Sequence, residues 1–187
     1  MDFSQALPGL ISRFNAAGIR YALIGGLAMA MRGVQRSTLD ADFILLLENL
    51  EEADSILRSL GYRKEFASEN VSHYVSADPA LGRIDFLHAF RSATLGMLGR
   101  ADTLEFLPGV SMPVVHVEDL IGLKIQASVN DPGRQLRDWS DIHQLLQHAG
   151  ENQLTLDWEL IGDYLDLFQL GDKMNELRKI HGEASSK

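Results

Sequence analysis

Two aspartates lie one residue apart at the start of an apolar segment, TLDADFILLL, which spans residues 38–47. The apolar second half is typical of a buried β-strand. Because strand side chains alternate between faces, Asp40 and Asp42 share one face, about 6.5–7 Å apart along the strand. Two carboxylates this close repel each other unless a positive charge lies between them. A divalent cation with oxygen ligands, Mg²⁺ or alternatively Mn²⁺, would supply that charge. The alternative is that Asp40 caps the strand and Asp42 faces solvent.

A third carboxylate lies in a later apolar segment, RIDFLHAF, where Asp85 stands between Ile84 and Phe86. If this strand is next to the strand of Asp40 and Asp42, the three carboxylates converge. Such a group can hold two metal ions about 3.5–4 Å apart, the arrangement used for in-line phosphoryl transfer. The alternative is that Asp85 is a solvent-facing edge residue, or the partner of a nearby arginine (Arg83 or Arg91).

A glycine pair precedes the carboxylates in YALIGGLAMAMRG, between a predicted strand and a predicted short helix. Without side chains, Gly25 and Gly26 let the backbone approach a ligand closely. The amide groups at the start of the following helix suit an anion such as a phosphate. The alternative is a tight turn with a purely structural role.

The order of these features resembles the DNA-polymerase-β-like nucleotidyltransferase superfamily over roughly residues 20–90. The pattern is a strand, a glycine pair, a spacer, an Asp-x-Asp strand (TLDADF) and a third carboxylate strand (RIDF). The resemblance implies that Asp40 and Asp42 are metal ligands. It implies that Asp85 is the third ligand or helps to activate the acceptor hydroxyl. Gly25 and Gly26 would form the turn that contacts the nucleoside triphosphate.

Two features beyond residue 115 add charged groups to apolar helix faces. Lys124 lies on the apolar stripe of HVEDLIGLKIQAS, so it is either paired, with a phosphate or an aspartate, or extends its ammonium to water. In RQLRDWSDIHQLL, Asp138 and Asp141 are one turn apart near a helix start, where carboxylates also offset the helix dipole. Both interpretations of these aspartates stay open.

RSTLDAD, the helix with Lys124 and the RDWSD helix together resemble the AbiEii-type branch of the superfamily, which contains toxins of toxin–antitoxin and abortive-infection systems. The resemblance implies that Lys124 contacts the triphosphate and that Asp138 or Asp141 lies in the active site. Arg36 and Thr38 would contact phosphate. It further implies an NTP substrate, ATP among the candidates, with RNA such as a tRNA 3′ end as acceptor and a cognate antitoxin as partner.

The elements that would position these residues change in character along the chain. Residues 1–115 alternate predicted helices and strands, including a hairpin over EFASENVSHYVSAD, whereas residues 116–187 carry helical periodicity in four segments. The sequence therefore predicts an α+β fold with a mixed sheet flanked by helices and a helical C-terminal portion. We expect residues 1–187 to form a single nucleotidyltransferase-like domain.

Composition excludes several classes of function. The chain of 187 residues has no cysteine, which excludes disulfides, thiolate metal sites and cysteine nucleophiles. A net charge of −9 argues against a DNA-coating surface. Neither a signal peptide nor a membrane-spanning segment is predicted, so we expect a cytoplasmic protein without a membrane partner.

The prediction that follows is a Mg²⁺-dependent nucleotidyltransferase that moves a nucleoside monophosphate from an NTP to an acceptor hydroxyl. The acceptor favoured by the toxin resemblance is RNA. One alternative is modification of a small molecule such as an antibiotic, since the acidic chain favours a cationic acceptor. Another is a nucleotidyltransferase-like antitoxin that acts by binding or modifying a partner protein.

Overall fold

The computed structural model describes residues 1–186, and within them the chain forms seven strands and eight α-helices. This confirms the predicted α+β class. The strands are β1 Tyr21–Ile24, β2 Asp40–Leu46, β3 Tyr62–Ala67, β4 Val71–Ser76, β5 Arg83–Ala89, β6 Asp102–Leu107 and β7 Val110–Val114. The helices are α1 Phe3–Ala16, α2 Gly25–Met31, α3 Leu50–Ser59, α4 Ser92–Arg100, α5 Val117–Asn130, α6 Gln135–Glu151, α7 Trp158–Leu167 and α8 Met174–Ser185.

The chain divides into two compact units. The first contains Met1–Met31 and Arg36–Val115, and the second contains Arg32–Gln35 and the chain from His116 onward. The boundary after Val115 coincides with the position at which the sequence changes from mixed α/β to helical character. The organisation of both parts as a single domain stays a prediction.

All seven strands of the first unit join one mixed sheet in the order β3-β4-β5-β2-β1-β7-β6. Strand β2 lies between β5, to which it runs parallel, and β1, to which it is antiparallel. In the β2–β5 register Asp42 stands opposite Asp85. The predicted proximity of the two carboxylate-bearing strands is therefore confirmed.

One face of the sheet is apolar at these strands. Ala41 and Phe43 of β2 and Ile84 and Phe86 of β5 are buried, and the rings of Phe43 and Phe86 stack with centroids 5.8 Å apart. Helix α1 contributes Phe14, whose ring lies 6.2 Å from that of Phe86. Since a slip by one residue would turn this apolar set toward the other face, core burial fixes the face on which the aspartates stand.

The second unit is helical. Helix α5 packs against α6 and α7, and α6 packs against α8. Their buried faces include the α6 residues Ile142, Leu145 and Leu146. The four helices predicted after residue 115 are confirmed, whereas α4 in the first unit was not predicted from the sequence.

None of the helices in residues 1–186 combines the length and the apolar composition that a bilayer crossing requires.

Candidate active site

Three carboxylates meet on the face of the sheet opposite the aromatic core. Asp40, Asp42 and Asp85 each present one oxygen, and these oxygens all lie within 4.8 Å of one another. All three residues are half-buried. The alternation of β2 places two of them on one face, and the parallel pairing with β5 brings the third alongside. The convergence that the sequence predicted is thus present.

Asp85 is held by two neighbours that the sequence analysis did not assign to the site. Nε of Arg83 donates to Asp85, at 2.7 Å from Oδ1 and 2.9 Å from Oδ2, and Nδ1 of His73 lies 2.8 Å from Oδ1. The hydrogen bond to Asp85 raises the pKa of the Arg83 guanidinium above its usual value. Asp85 is therefore both a member of the cluster and the partner of Arg83, which unites two interpretations that the sequence left as alternatives.

The glycine pair lies directly against the carboxylate strand. Gly25 has a φ of +69°, and a Cβ there would come within 2.8 Å of Asp42 Cγ and closer still to its Oδ2. A Cβ on Gly26 would lie 2.9 Å from Thr38 Cβ. Thr38 in turn donates a hydrogen bond of 2.8 Å to Asp40 Oδ1. Because glycine has no side chain, Asp42 and Thr38 can pack directly against this turn.

The donor set fits a divalent cation. Mg²⁺ prefers oxygen ligands at about 2.0–2.1 Å, so oxygens on opposite sides of one ion are about 4.2 Å apart. The three carboxylates present oxygens within 4.8 Å of one another, a separation close to that span. A carboxylate offers about four lone-pair sites. Asp85 therefore retains acceptor capacity beyond its bonds to Arg83 and His73.

A second charged cluster lies within the helical unit. Nζ of Lys124 on α5 is 3.0 Å from Asp138 Oδ1 and 2.6 Å from Asp141 Oδ2, both on α6. The side chains are 9%, 0% and 2% exposed, respectively. The Asp138 carboxylate also lies 3.4 Å from Nε of the half-exposed Arg134. Lys124 is thus buried and paired with aspartates, and the alternative prediction that its ammonium extends to water is wrong.

The predicted site residues fall into two groups. The carboxylates, Gly25, Gly26, Thr38 and Arg36 belong to the first unit, where Arg36 is half-buried just ahead of β2. Lys124, Asp138 and Asp141 belong to the second unit and contact one another. His73, which the sequence analysis did not assign to the site, is set opposite Asp85 by the pairing of β4 with β5. Arg83 could have been assigned from the sequence, because residues two apart on a strand share one face and Arg83 lies two residues before Asp85.

Residues 94–180 match the sequence model of a family described as nucleotidyl transferase AbiEii toxin, Type IV TA system. The resemblance to the AbiEii nucleotidyltransferases is confirmed. The matched span contains Lys124, Asp138 and Asp141 and begins after Asp85. The AbiEii match and the fold together support a transferase.

Solved nucleotidyltransferases share the fold. The crystal structure of ANT(2'')-Ia in complex with adenylyl-2''-tobramycin has a TM-score of 0.62 at 14% identity and covers 86% of this chain and 95% of that one. An antigenic nucleotidyltransferase-like protein from Paracoccidioides brasiliensis has a TM-score of 0.57 at 16% identity, with coverage of 96% and 92%. The solution structure of the antibiotic-resistance factor ANT(2'')-Ia has a TM-score of 0.61 at 16% identity, with coverage of 97% and 100%. No curated protein sequence matches the chain.

Proposed function

We propose that this protein transfers a nucleoside monophosphate from an NTP to a hydroxyl of RNA, with tRNA 3′ ends as the favoured acceptor, as the toxin of a cytoplasmic toxin–antitoxin system. The observation that carries the proposal is the convergence of Asp40, Asp42 and Asp85 on one face of the sheet. The AbiEii match supports the toxin context and hence a cognate antitoxin as partner.

In the proposed reaction the acceptor oxygen forms a bond to the α-phosphorus, the bond between the α- and β-phosphates breaks, and pyrophosphate leaves. Asp40 and Asp42 would hold Mg²⁺, or alternatively Mn²⁺, with Asp85 as third ligand or as the carboxylate that accepts the hydroxyl proton. The bound cation would neutralise the triphosphate and favour ionisation of the acceptor hydroxyl. Arg83 and His73 fix the orientation of Asp85 through the hydrogen bonds described above, so the carboxylate is positioned before substrate arrives.

The remaining residues would bind the nucleotide. Gly25 and Gly26 would form the turn that contacts the triphosphate, and Arg36 and Thr38 would add contacts to phosphate. An ammonium has three N–H donors. Lys124 donates a hydrogen bond to Asp138 and forms an ion pair with Asp141, and a further N–H would serve a phosphate oxygen. In this assignment the two aspartates position Lys124, and Asp141 has the same supporting role as Asp138.

Transfer of α-labelled nucleotides tests the proposal. The protein is incubated with each of the four labelled NTPs, Mg²⁺ and total tRNA, and label in RNA is measured. We expect transfer by the wild type and a loss of at least about 100-fold in Asp42→Asn, because one oxygen ligand becomes a neutral amide. Asp163→Asn is the matched control, since that aspartate is exposed on α7. Absence of transfer with every nucleotide by correctly folded wild type would refute the proposal.

A small cationic acceptor is the second candidate. It is supported by the fold shared with ANT(2'')-Ia, a structure determined with adenylyl-2''-tobramycin, and by the net charge of −9. The same labelled nucleotides with tobramycin in place of tRNA test it. Transfer to tobramycin without transfer to RNA would replace the RNA assignment.

A further inference from the structure

A cross-strand row on the carboxylate face runs from the candidate metal site to the edge of the sheet. Asp42 of β2 is opposite Asp85 of β5, which is opposite His73 of β4, which is opposite Phe66 of the edge strand β3. Cross-strand partners share one face of a sheet. Phe66 therefore stands on the same face as the carboxylates, two strands beyond Asp85 at about 10 Å.

Phe66 is an exposed aromatic residue next to a shift in the pairing register of its strand. Its side chain is 50% exposed, in contrast to the buried phenylalanines of the opposite face. The register of β3 against β4 shifts between Lys64 and Phe66, and such a bulge re-aims the side chains next to it. The ring stacks on the imidazole of His73, with centroids 5.4 Å apart and planes at 25°. We call Phe66 and His73 together the aromatic platform.

The platform is joined to the carboxylate cluster through His73. One side of the imidazole packs on Phe66, while Nδ1 lies 2.8 Å from Asp85 Oδ1. A group that stacks on the exposed ring thus lies on the same face as Asp85, the carboxylate that is proposed to meet the acceptor hydroxyl, about two strand spacings away. This continuity makes the platform part of the acceptor side of the site.

Two arginines flank the platform in the neighbouring row. Arg63 of β3 and Arg83 of β5 both face Val75 of β4, and Arg83 is also opposite Asp40. Their side chains are 73% and 42% exposed. Arg63 lies 3.6 Å from Glu65, an exposed contact that a phosphate can displace at little cost. A chain of net charge −9 therefore presents two arginines beside its exposed ring, of which Arg83 is also bonded through Nε to Asp85.

We propose that the aromatic platform binds the terminal base of a single-stranded RNA acceptor while Arg63 and Arg83 receive its phosphates; this rests on the proposed function. Bases stack on aromatic side chains without requiring a particular sequence, and guanidinium groups attract the backbone. A tobramycin-like acceptor is polycationic and has no aromatic ring. It would be repelled by the arginines and would gain nothing from the phenylalanine.

A double cycle on protein and RNA tests the stacking. KM for the acceptor is measured for wild type and Phe66→Ala, each with an RNA that ends in a normal nucleotide and one that ends in an abasic nucleotide with an intact 3′-hydroxyl. For the normal RNA we expect Phe66→Ala to raise KM about tenfold while KM for the NTP is unchanged. For the abasic RNA the two proteins should have equal KM. Phe66→Trp should restore binding, because a larger ring stacks at least as well.

Leu167→Ala is the matched control, because Leu167 is 64% exposed on α7 in the other unit and should leave every KM unchanged. Equal KM of wild type and Phe66→Ala for normal RNA would overturn the inference while leaving transfer itself established. Absence of transfer by wild type would instead overturn the proposed function. If Phe66→Ala fails to fold, as judged by circular dichroism, quenching of the Phe66→Trp indole by the normal but not the abasic RNA becomes the deciding measurement, and absence of quenching refutes the platform.

Discussion

Removal of the Lys124 ammonium should destabilise the helical unit strongly. In Lys124→Met the two carboxylates of Asp138 and Asp141 remain, at 0% and 2% exposure, without the cation that bonded both. Removing one partner of a buried ion pair costs about 3–5 kcal/mol, because the remaining charge is left uncompensated. Arg134 offers little relief, since it lies 3.4 Å from Asp138 and its side chain is 46% exposed. We therefore expect a loss at the upper end of that range.

Tryptophan fluorescence is suited to this measurement because the two tryptophans of the chain, Trp139 and Trp158, both belong to the helical unit. With a urea dependence of about 2 kcal/mol per M, the expected loss lowers the unfolding midpoint by about 2–2.5 M. The matched control is Lys179→Met, because Lys179 pairs with Glu183 at 3.6 Å with both side chains largely exposed. That exposed pair should contribute about 0–1 kcal/mol.

A compensated variant separates loss of charge balance from loss of packing. Lys124→Met combined with Asp138→Asn and Asp141→Asn leaves no buried charge in the cluster, so it should unfold at a higher urea concentration than Lys124→Met alone. If Lys124→Met has the same midpoint as the Lys179→Met control, or if the triple variant is no more stable than the single one, the reasoning from buried charge is refuted.

The remaining predictions concern the sheet unit. Gly25→Ala should lower the affinity for Mn²⁺, measured by calorimetry, at least about tenfold, because its Cβ would displace Asp42. The control is Gly18→Ala, since Gly18 has a similar φ of +67° and a Cβ there meets nothing within 4 Å. Equal affinities of the two variants would contradict the argument. His88 is buried with Nε2 3.0 Å from Ser72 Oγ, and burial lowers its pKa below 6.5. The unfolded chain therefore takes up this proton first, so stability is lost as pH falls below about 6.5 toward the folded pKa. In His88→Gln, the free energy of unfolding, measured in urea by circular dichroism, should differ less between pH 7 and pH 5 than in the wild type. An unchanged difference would show that the loss of stability at low pH comes from other groups.

Most helices and strands could be predicted because the periodicity of each one is contained in its own residues. Alternation around Asp40 and Asp42 gave their common face, and the helical spacing of α5 gave the inward position of Lys124. Helix α4 escaped prediction, and its two glycines, Gly96 and Gly99, are poor helix formers that weaken the pattern. Tertiary context determines that segment.

The partners of the site residues could not be predicted in the same way because they depend on strand register. His73 meets Asp85 only when β4 pairs with β5 in the observed alignment, and a shift by one residue would turn its ring to the other face. The role of Gly25 is similar. Its sequence context indicates a turn, but the close approach of Asp42 arises from the pairing of β1 with β2, in which Ile24 is opposite Asp42.

Two observations that share no residue lead to the same class of reaction. The family match covers residues 94–180 and thus the helices with Lys124, whereas Asp40, Asp42 and Asp85 precede it and meet through strand pairing alone. Either could have occurred without the other, since acidic clusters are common and helical segments carry many functions. Loss of transfer in Asp42→Asn therefore tests the part of the assignment that the family match does not reach. The Lys124 variants test the buried ion cluster that lies within the span of the family match.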